Sequence, residues 1–321
     1  MSMSNETDPL SGAERSSGPA ISVIIPSWNT VELTRDCLSS LYSNRHGCEL
    51  EVIVIDNGST DGSPDMIAAD FPKVRLIRNA ANEYYSKACN QGAAIATADR
   101  LCFLNSDTRV PPGSLETMIR FLDENPEYGA VAPRLNNTDG SVQPICRRFP
   151  TLFEVVADQF DLSGWSVMQR YRARAAMQDF DHLSSRDVEQ PPGACFTVRT
   201  HDFKTLDGFD ESLPLFYSDV DICLRIWRSG KRIRFLADAE ITHVGSASVV
   251  RHALWRAEFM RNQVRYFRKH EGWMAAQFAK LIILVSGIRT GIGTAFGRQT
   301  GTEKKRLLSE IFNSLRIAVR G

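Results

Sequence analysis

Five carboxylates and one imidazole stand where chemistry could be done. In "LCFLNSDTRV" (101–110), four apolar residues, Leu101 to Leu104, end abruptly in Asn105, Ser106 and Asp107. A carboxylate at the tip of a buried strand could hold a hard divalent cation, although Asn, Ser and Asp are also ordinary turn residues. "VIVIDNGSTDGS" ends another apolar run in Asp56 and adds Asp61. Read alone, Asp56 is a turn residue before Asn57-Gly58, and Asp61 caps the helix that follows. "SDVD" (218–221) places Asp219 and Asp221 at the head of a helix-like segment. There a carboxylate can take a proton as a general base or complement the helix N-terminus. His243, in "THVGS", is the imidazole; a lone His is more often a core or surface residue than a ligand.

The elements that must position these groups can be read from periodicity. Ile21–Ile25 reads as a strand stopped by Pro26, Val52–Ile55 as a second, Val74–Ile77 as a third and Leu101–Leu104 as a fourth. Between them, 30–42 has helical spacing with Leu33, Cys37, Leu38 and Leu41 on one face, a short helix ends over 66–71, and 87–98 is a small-residue helix. Alternating strands and helices predict a doubly wound, mostly parallel sheet. In such a sheet ligands bind beyond the carboxyl ends of the strands, where "PSWN", "DNGSTDGS" and "NSD" all lie. Further on, "GACFTVR" (193–199) reads as a strand followed by a short helix over 200–206, and "DVDICLRIWRSG" (219–230) as a helix ended by Gly230. Arg232–Leu236 and Ile241–Val244 read as two strands, and 165–177 as a helix before a polar loop. From Val249 the pattern is helical, with breaks near Gly272 and between Gly297 and Thr302.

Composition bounds the rest. The 321 residues are 43% hydrophobic and 24% charged, with zero formal net charge. Residues 251–321 hold 14 Lys/Arg against 4 Asp/Glu, so a basic tail follows an acidic body. Its Arg residues alternate with Leu, Ile, Phe and Trp. That mix suits an anionic membrane surface or a partner groove better than nucleic acid. The apolar stretch Trp273–Ile288 is shorter than the ~20 residues a bilayer needs, so no crossing is expected. Seven cysteines without CxxC or zinc-like spacing predict free thiols in a reducing cytosol. Residues 1–20, rich in Ser, Gly, Asn and acids, read as a disordered tail.

Four segments in order, "SVIIPSWN", "VIVIDNGSTDGS", "CFLNSDTRV" and "GFDESLPLFYSDVDICLRIWRSGKRIRFLADAEITHVGSAS", resemble the bacterial family 2 glycosyltransferases over roughly residues 21–248. "RRFP" (147–150) and the basic C-terminal segment look like the rhamnosyltransferase-like branch. The resemblance implies an α/β GT-A-type fold with a catalytic domain over 21–248. Residues 21–110 would form the nucleotide-sugar half and 111–248 the acceptor and base half, followed by a helical segment over 249–321. It implies an inverting, metal-dependent transfer from a nucleotide-diphosphate sugar to a saccharide or lipid-linked saccharide in surface polysaccharide synthesis. The donor would be UDP- or dTDP-linked, dTDP-rhamnose among the candidates. The cofactor would be Mg2+ or Mn2+. A place on the cytoplasmic face of the membrane, through 249–321, and homo-oligomerisation are the expected associations.

The resemblance also assigns residues. Asp107 keeps the carboxylate of the family's Asp-x-Asp triplet, which here reads Asn105-Ser106-Asp107, and His243 matches the His that completes the metal site. Asp56 would accept from the imide N–H of uracil or thymine, with Pro26 and Asn29 around the base and Lys87 and Asn90 near ribose or diphosphate. Tyr84 stands where the family pattern has Gly, and Ser218 where it has Glu. Asp219 is the expected general base, with Gly193 and Asp221 on the acceptor side; Asp221 alternatively pairs with Arg225. Trp227 and Phe216 are expected in the core. A nucleotidyltransferase would need a glycine-rich phosphate loop, which "PSWNTVEL" does not supply. A non-catalytic carbohydrate-binding or scaffolding relative is the competing reading, and Asn105, Ser218 and Tyr84 are the departures behind it.

Overall fold

Strand and helix alternate through the first hundred residues: β1 (Ile21–Ser27), α1 (Val31–Ser43), β2 (Leu50–Asp56), α2 (Ser63–Asp70), β3 (Arg75–Arg78), α3 (Tyr84–Ile95) and β4 (Arg100–Leu104). The computed structural model describes residues 18–43, 46–160, 166–245 and 255–296, with single positions at 301, 308, 311, 312 and 316. Most of the tail expected over 1–20, Arg251, and most of the chain beyond Phe296 lie outside the described residues. Pro26 does not stop β1; it pairs with Ile55 of β2, and the strand runs on to Ser27. α3 begins three residues before the expected Lys87.

The second half adds β5 (Thr108–Arg109), α4 (Ser114–Glu124), β6 (Tyr128–Asn136), α5 (Leu152–Phe160), α6 (Ser166–Ala175), β7 (Arg186–Asp187), β8 (Cys195–Arg199), α7 (Thr200–Thr205), α8 (Ser218–Arg228) and β9 (Arg232–His243), then α9 (Trp255–His270) and α10 (Trp273–Phe296). The two strands expected over 232–244 are one. β9 stays in register with β6 across an irregularity at Pro133/Arg134, which absorbs Ala237 to Ala239.

The sheet order is β3-β2-β1-β4-β8-β6-β9-β5, with β7 added along β9. β1 to β4 are parallel, β8 is antiparallel to both β4 and β6, and β9 runs parallel to β6. Period-two alternation divides β1. Ile21, Val23 and Ile25 face α1, α2 and α4, and Ile24 faces α3 and α8 on the other side. The direction rule fixes one edge. β1, β2 and β4 end there, β8 starts there, β9 ends there, and α8, leading back to β9, presents its N-terminus there.

The C-terminal helices are not an appendage. Tyr266, Phe267, Val264 and Met260 of α9, with Ala276, Ala279 and Ile283 of α10, form a third core with Val155, Leu213, Tyr217 and Val220. Gly272, at φ 94, makes the break between α9 and α10.

Candidate active site

Two connected clefts open at that edge. The smaller is lined by Pro26, Ser27, Trp28, Asn57, Tyr84 and Asp107 among others, and the larger, about 600 Å³, by Arg147, Gly193, Asp219, His243 and Gln263 among others. Tyr85, Asn105 and Leu215 border both.

The smaller cleft rests on the tips of β1 and β2. Asp56 pairs with Ser27 across the sheet and is 2% exposed. Its Oδ2 accepts from Ser59 N at 3.0 Å, and its Oδ1 is buried with no partner. A buried carboxylate oxygen left unpaired is costly, and a ligand N–H would satisfy it. Asn29, at φ 51, accepts from Thr60 N through Oδ1 and donates from its backbone to Ser59 Oγ, so it lashes the two tips together. Asp61 accepts from Val31 N and Ser63 N, one at the start of each of α1 and α2. These bonds hold its carboxyl below the ordinary range although burial opposes them. It is a cap, one of the two readings open from the sequence. Tyr84 sits at φ 61. That left-handed conformation explains a Gly at this position in the family pattern.

β4 delivers Asn105, Ser106 and Asp107 between the clefts. Asn105 N bonds Ala194 O across to the start of β8, and Ser106 Oγ joins the hydroxyls of Thr30, Ser27 and Thr34. Thr108 pairs with His243 across β5 and β9, which brings His243 Nε2 to 3.5 Å from Asp107 Oδ1. Gln143 sets the ring. Its Nε2 donates to His243 O and Asn137 Oδ1, so its Oε1, 3.0 Å from His243 Nδ1, is left to accept. Nδ1 must then carry a proton, which leaves Nε2 as the ring nitrogen turned toward Asp107 and able to bind a cation. Two acceptors facing across 3.5 Å fit a shared cation. Among the described residues no third His, Cys, Asp or Glu joins them. A cation held here would complete its shell from donor oxygens and water, as Mg2+ commonly does.

α8 supplies the remaining carboxylate. Tyr217, at φ 65, turns the chain into the helix, and Asp219 follows in its first turn. Asp219 Oδ1 accepts from Val220 N at 2.9 Å. Its Oδ2 faces Gly193 so closely that a β-carbon there would lie 2.9 Å away. Desolvation by burial raises the carboxyl above its ordinary range, as suits a proton acceptor.

Of the expected site residues, Asn29 and Asp56 hold the strand tips without lining either cleft, and three more are placed elsewhere. Lys87 pairs with Glu83 at 2.7 Å and lines neither cleft. Asn90 bonds both the N–H and the carbonyl of Phe209 and so pins the "GFDE" loop. Asp221 is fully buried and meets Arg225, Lys269 and His270, each at 2.6–2.8 Å. It ties α8 to α9 rather than facing an acceptor. Trp227 and Phe216 are both partly buried against the core, and Phe216 also lines the larger cleft, edge-on to Phe259. Gln143, Arg147, Phe259 and Gln263 were missed. Only Arg147 had a signal, the "RRFP" run.

The basic tail is also redrawn. Arg261 pairs with Glu258, Arg265 with Ser212 O and Lys269 with acids, while Tyr266 and Phe267 are buried. α10 is longer than expected, and its 273–292 portion is by length and composition apolar enough to cross a membrane. Its Ala275, Ala276, Ala279 and Ile283 are nevertheless packed inside, and Trp273, Met274, Phe278, Leu281, Val285 and Ile288 face out. All seven cysteines are free thiols.

Comparison with known proteins bears on the family and the fold. The family model described as glycosyl transferase family 2 matches residues 22–174, and that of glycosyl transferase family group 2 matches residues 101–288. The N-acetylglucosaminyl-diphospho-decaprenol L-rhamnosyltransferase of Mycobacterium tuberculosis is 28% identical over 245 residues, covering 71% of this chain and 78% of the relative. The O-antigen biosynthesis protein RfbC of Myxococcus xanthus is 27% identical over 77% of this chain but only 19% of its own length. The mannosyltransferase PcManGT of Pyrobaculum calidifontis, solved with GDP-Man and Mn2+, superposes with a TM-score of 0.54 at 17% identity, over 95% of this chain and 87% of that one. S. aureus TarS 1–349 with UDP-GlcNAc gives 0.52 at 17% identity, over 92% and 72%. At such identities the two structures share the fold.

Proposed function

The chain belongs to glycosyltransferase family 2, and from that premise we propose that it transfers a sugar, with inversion, from a UDP- or dTDP-linked donor to a lipid-linked saccharide in bacterial surface polysaccharide synthesis. The observation that carries the reading is the half-buried carboxylate of Asp219, its Oδ2 turned to Gly193 in the cleft that continues past Asn105 into the donor pocket. One base between two pockets is what a single in-line displacement needs.

The base of the donor would enter beside Ser27 and Asn57, which line the cleft; Asp56, paired with Ser27 across the sheet and next to Asn57, would offer its unpartnered Oδ1 to an imide N–H. Tyr84 gives that pocket a ring. Asp107 and His243 would hold a divalent cation, which as a Lewis acid neutralises the diphosphate leaving group. Asp219 takes the acceptor hydroxyl proton as the new bond forms. Gly193 lets the carboxylate sit in the acceptor cleft. dTDP-rhamnose is the favoured donor, on the likeness to a rhamnosyltransferase.

The outward face of α10 supports a peripheral place on the cytoplasmic face of a membrane. α5 brings Glu154 and α9 brings Phe259 to the acceptor cleft, and both helices pack against α10. A lipid-linked acceptor lying along that apolar face would present its sugar to Asp219. Because most described arginines of α9 bond within the chain, the attachment is apolar more than electrostatic.

The deciding experiment is thermal shift with UDP, dTDP and GDP, with and without Mn2+, on the wild type, Asp107→Ala and His243→Ala. The expected result is a Mn2+-dependent shift with UDP or dTDP, absent in Asp107→Ala and reduced in His243→Ala. A wild-type shift with GDP alone would overturn the Asp56 assignment, and an unaltered shift in Asp107→Ala would overturn the metal site.

A further inference from the structure

Gln263 is buried, polar and half used. It lies on α9, is 4% exposed, and lines the acceptor cleft. Its Nε2 donates to Tyr217 Oη at 2.8 Å, and its Oε1 bonds nothing. If the amide is turned over, Tyr217 donates instead and the two amide hydrogens are left over; either way one end is unspent. Such a group costs stability, and sites that violate packing rules in this way are expected to be functional. The surroundings are those of a sugar subsite. Phe259 lies one helical turn before Gln263, and both line the cleft with Phe216, Tyr217 and Asp219. Tyr217 immediately precedes α8 and packs tilted against Phe259 with ring centroids 5.3 Å apart. The amide is therefore fixed, through Tyr217, to the helix start that carries Asp219.

We propose that Gln263, held by Tyr217, recognises the acceptor, its free amide end bonding a hydroxyl or acetamido group of the acceptor sugar while Phe259 flanks it. The inference rests on the glycosyltransfer reading and deepens it: α9 becomes a wall of the acceptor site as well as part of the fold. Arg147, paired with Gln190 outside the named strands, lines the same cleft and its guanidinium bonds no described residue. A sugar diphosphate would therefore span from the Gln263 wall to a free cation.

The test uses the full chain with UDP and Mn2+ present and a short-chain N-acetylglucosaminyl diphosphoryl lipid as probe, binding read by calorimetry. Gln263→Met fills the space without polar atoms. It should bind the probe about 3- to 10-fold more weakly, the worth of one neutral hydrogen bond. Its UDP affinity and melting temperature should stay at wild-type values, because one internal bond and one buried unpaired group leave together. Gln263→Glu keeps an accepting oxygen to which Tyr217 can donate, and should bind the probe within threefold of wild type. Probe affinity unchanged in Gln263→Met overturns the proposal. So does a fall in melting temperature with equal weakening in both variants, which marks a structural residue. Wild-type protein that binds UDP but not the probe overturns the acceptor class. Wild-type protein that binds no nucleotide overturns the underlying reading instead.

Discussion

Gly193→Ala tests whether the position of the Asp219 carboxylate sets the rate. A β-carbon at residue 193 would lie 2.9 Å from Asp219 Oδ2 and 3.5 Å from its Cβ and Cγ, whereas ordinary contact begins at 3.4 Å. One atom must therefore yield by about 0.5 Å or more. The backbone on the Gly193 side is pinned, since Ala194 O accepts from Asn105 N. Gly193 has no positive φ that alanine would strain. The yielding part is the carboxylate, the far end of a side chain that can turn. Displacement of a catalytic group by 1 Å can cost about 100-fold, so a fall of about 10- to 100-fold in kcat is expected, or roughly 1.4–2.7 kcal/mol of barrier. Folding should be nearly unaffected. The assay is transfer at saturating donor, with kcat and acceptor KM separated and melting temperature recorded in parallel. A kcat within twofold of wild type would refute the placement of Asp219 as the base. A rise in acceptor KM at constant kcat would make Gly193 a steric wall only.

Asp219→Asn should keep nucleotide binding and lose about 10²–10⁴-fold of transfer. Because burial raises the Asp219 carboxyl, the acid limb of kcat/KM should lie above the ordinary Asp range near 3.8, and a pH–rate profile with its limb at or below that value contradicts the assignment. For Asp221, burial alone would raise the carboxyl, but His270, Arg225 and Lys269 outweigh it and bring it to about 2. A depressed pKa stabilises the fold above the unfolded-state value and loses that contribution as pH falls through the folded one, so urea unfolding should show the effect fading between about pH 4 and 2. Asp221→Asn should lack that dependence and be destabilised by about 3–5 kcal/mol at neutral pH, because Arg225 and Lys269 lose a buried anionic partner. Leu281→Asp with Ile288→Asp, both at exposed positions, should abolish co-sedimentation with lipid vesicles that the wild type shows at both low and high salt. Loss of a dimer in light scattering, with no vesicle binding by the wild type, would assign that face to a second copy.

The edge of the sheet at which the candidate site lies was legible from residue order. Apolar runs ending in "PSWN", "DNGSTDGS" and "NSD" mark parallel strand tips because a buried strand must be apolar and its end must turn. The helix heading of Asp219 was legible from its amphipathic pattern and the Gly230 stop. What the sequence left open was every partnership between distant segments. Asp61 reads equally as site or cap until Val31 N and Ser63 N are seen on it. Asp221 and Asp219 sit two residues apart on one helix, so they point to different sides. Only packing shows that α9 covers one with Lys269 and His270 and leaves the other to the cleft. Strand β6 and helix α4 are not marked in the sequence, because the stretch between Val110 and Cys146 carries no motif. It is β6 that places β9, and β9 that brings His243 across to Asp107. The basic tail reads as a charged surface in one dimension. In three dimensions its described charges find the acids and carbonyls of α8 and the preceding loop, because a helix packed on a core neutralises what it buries. Tertiary structure alone decided that α9 is a wall of the acceptor cleft.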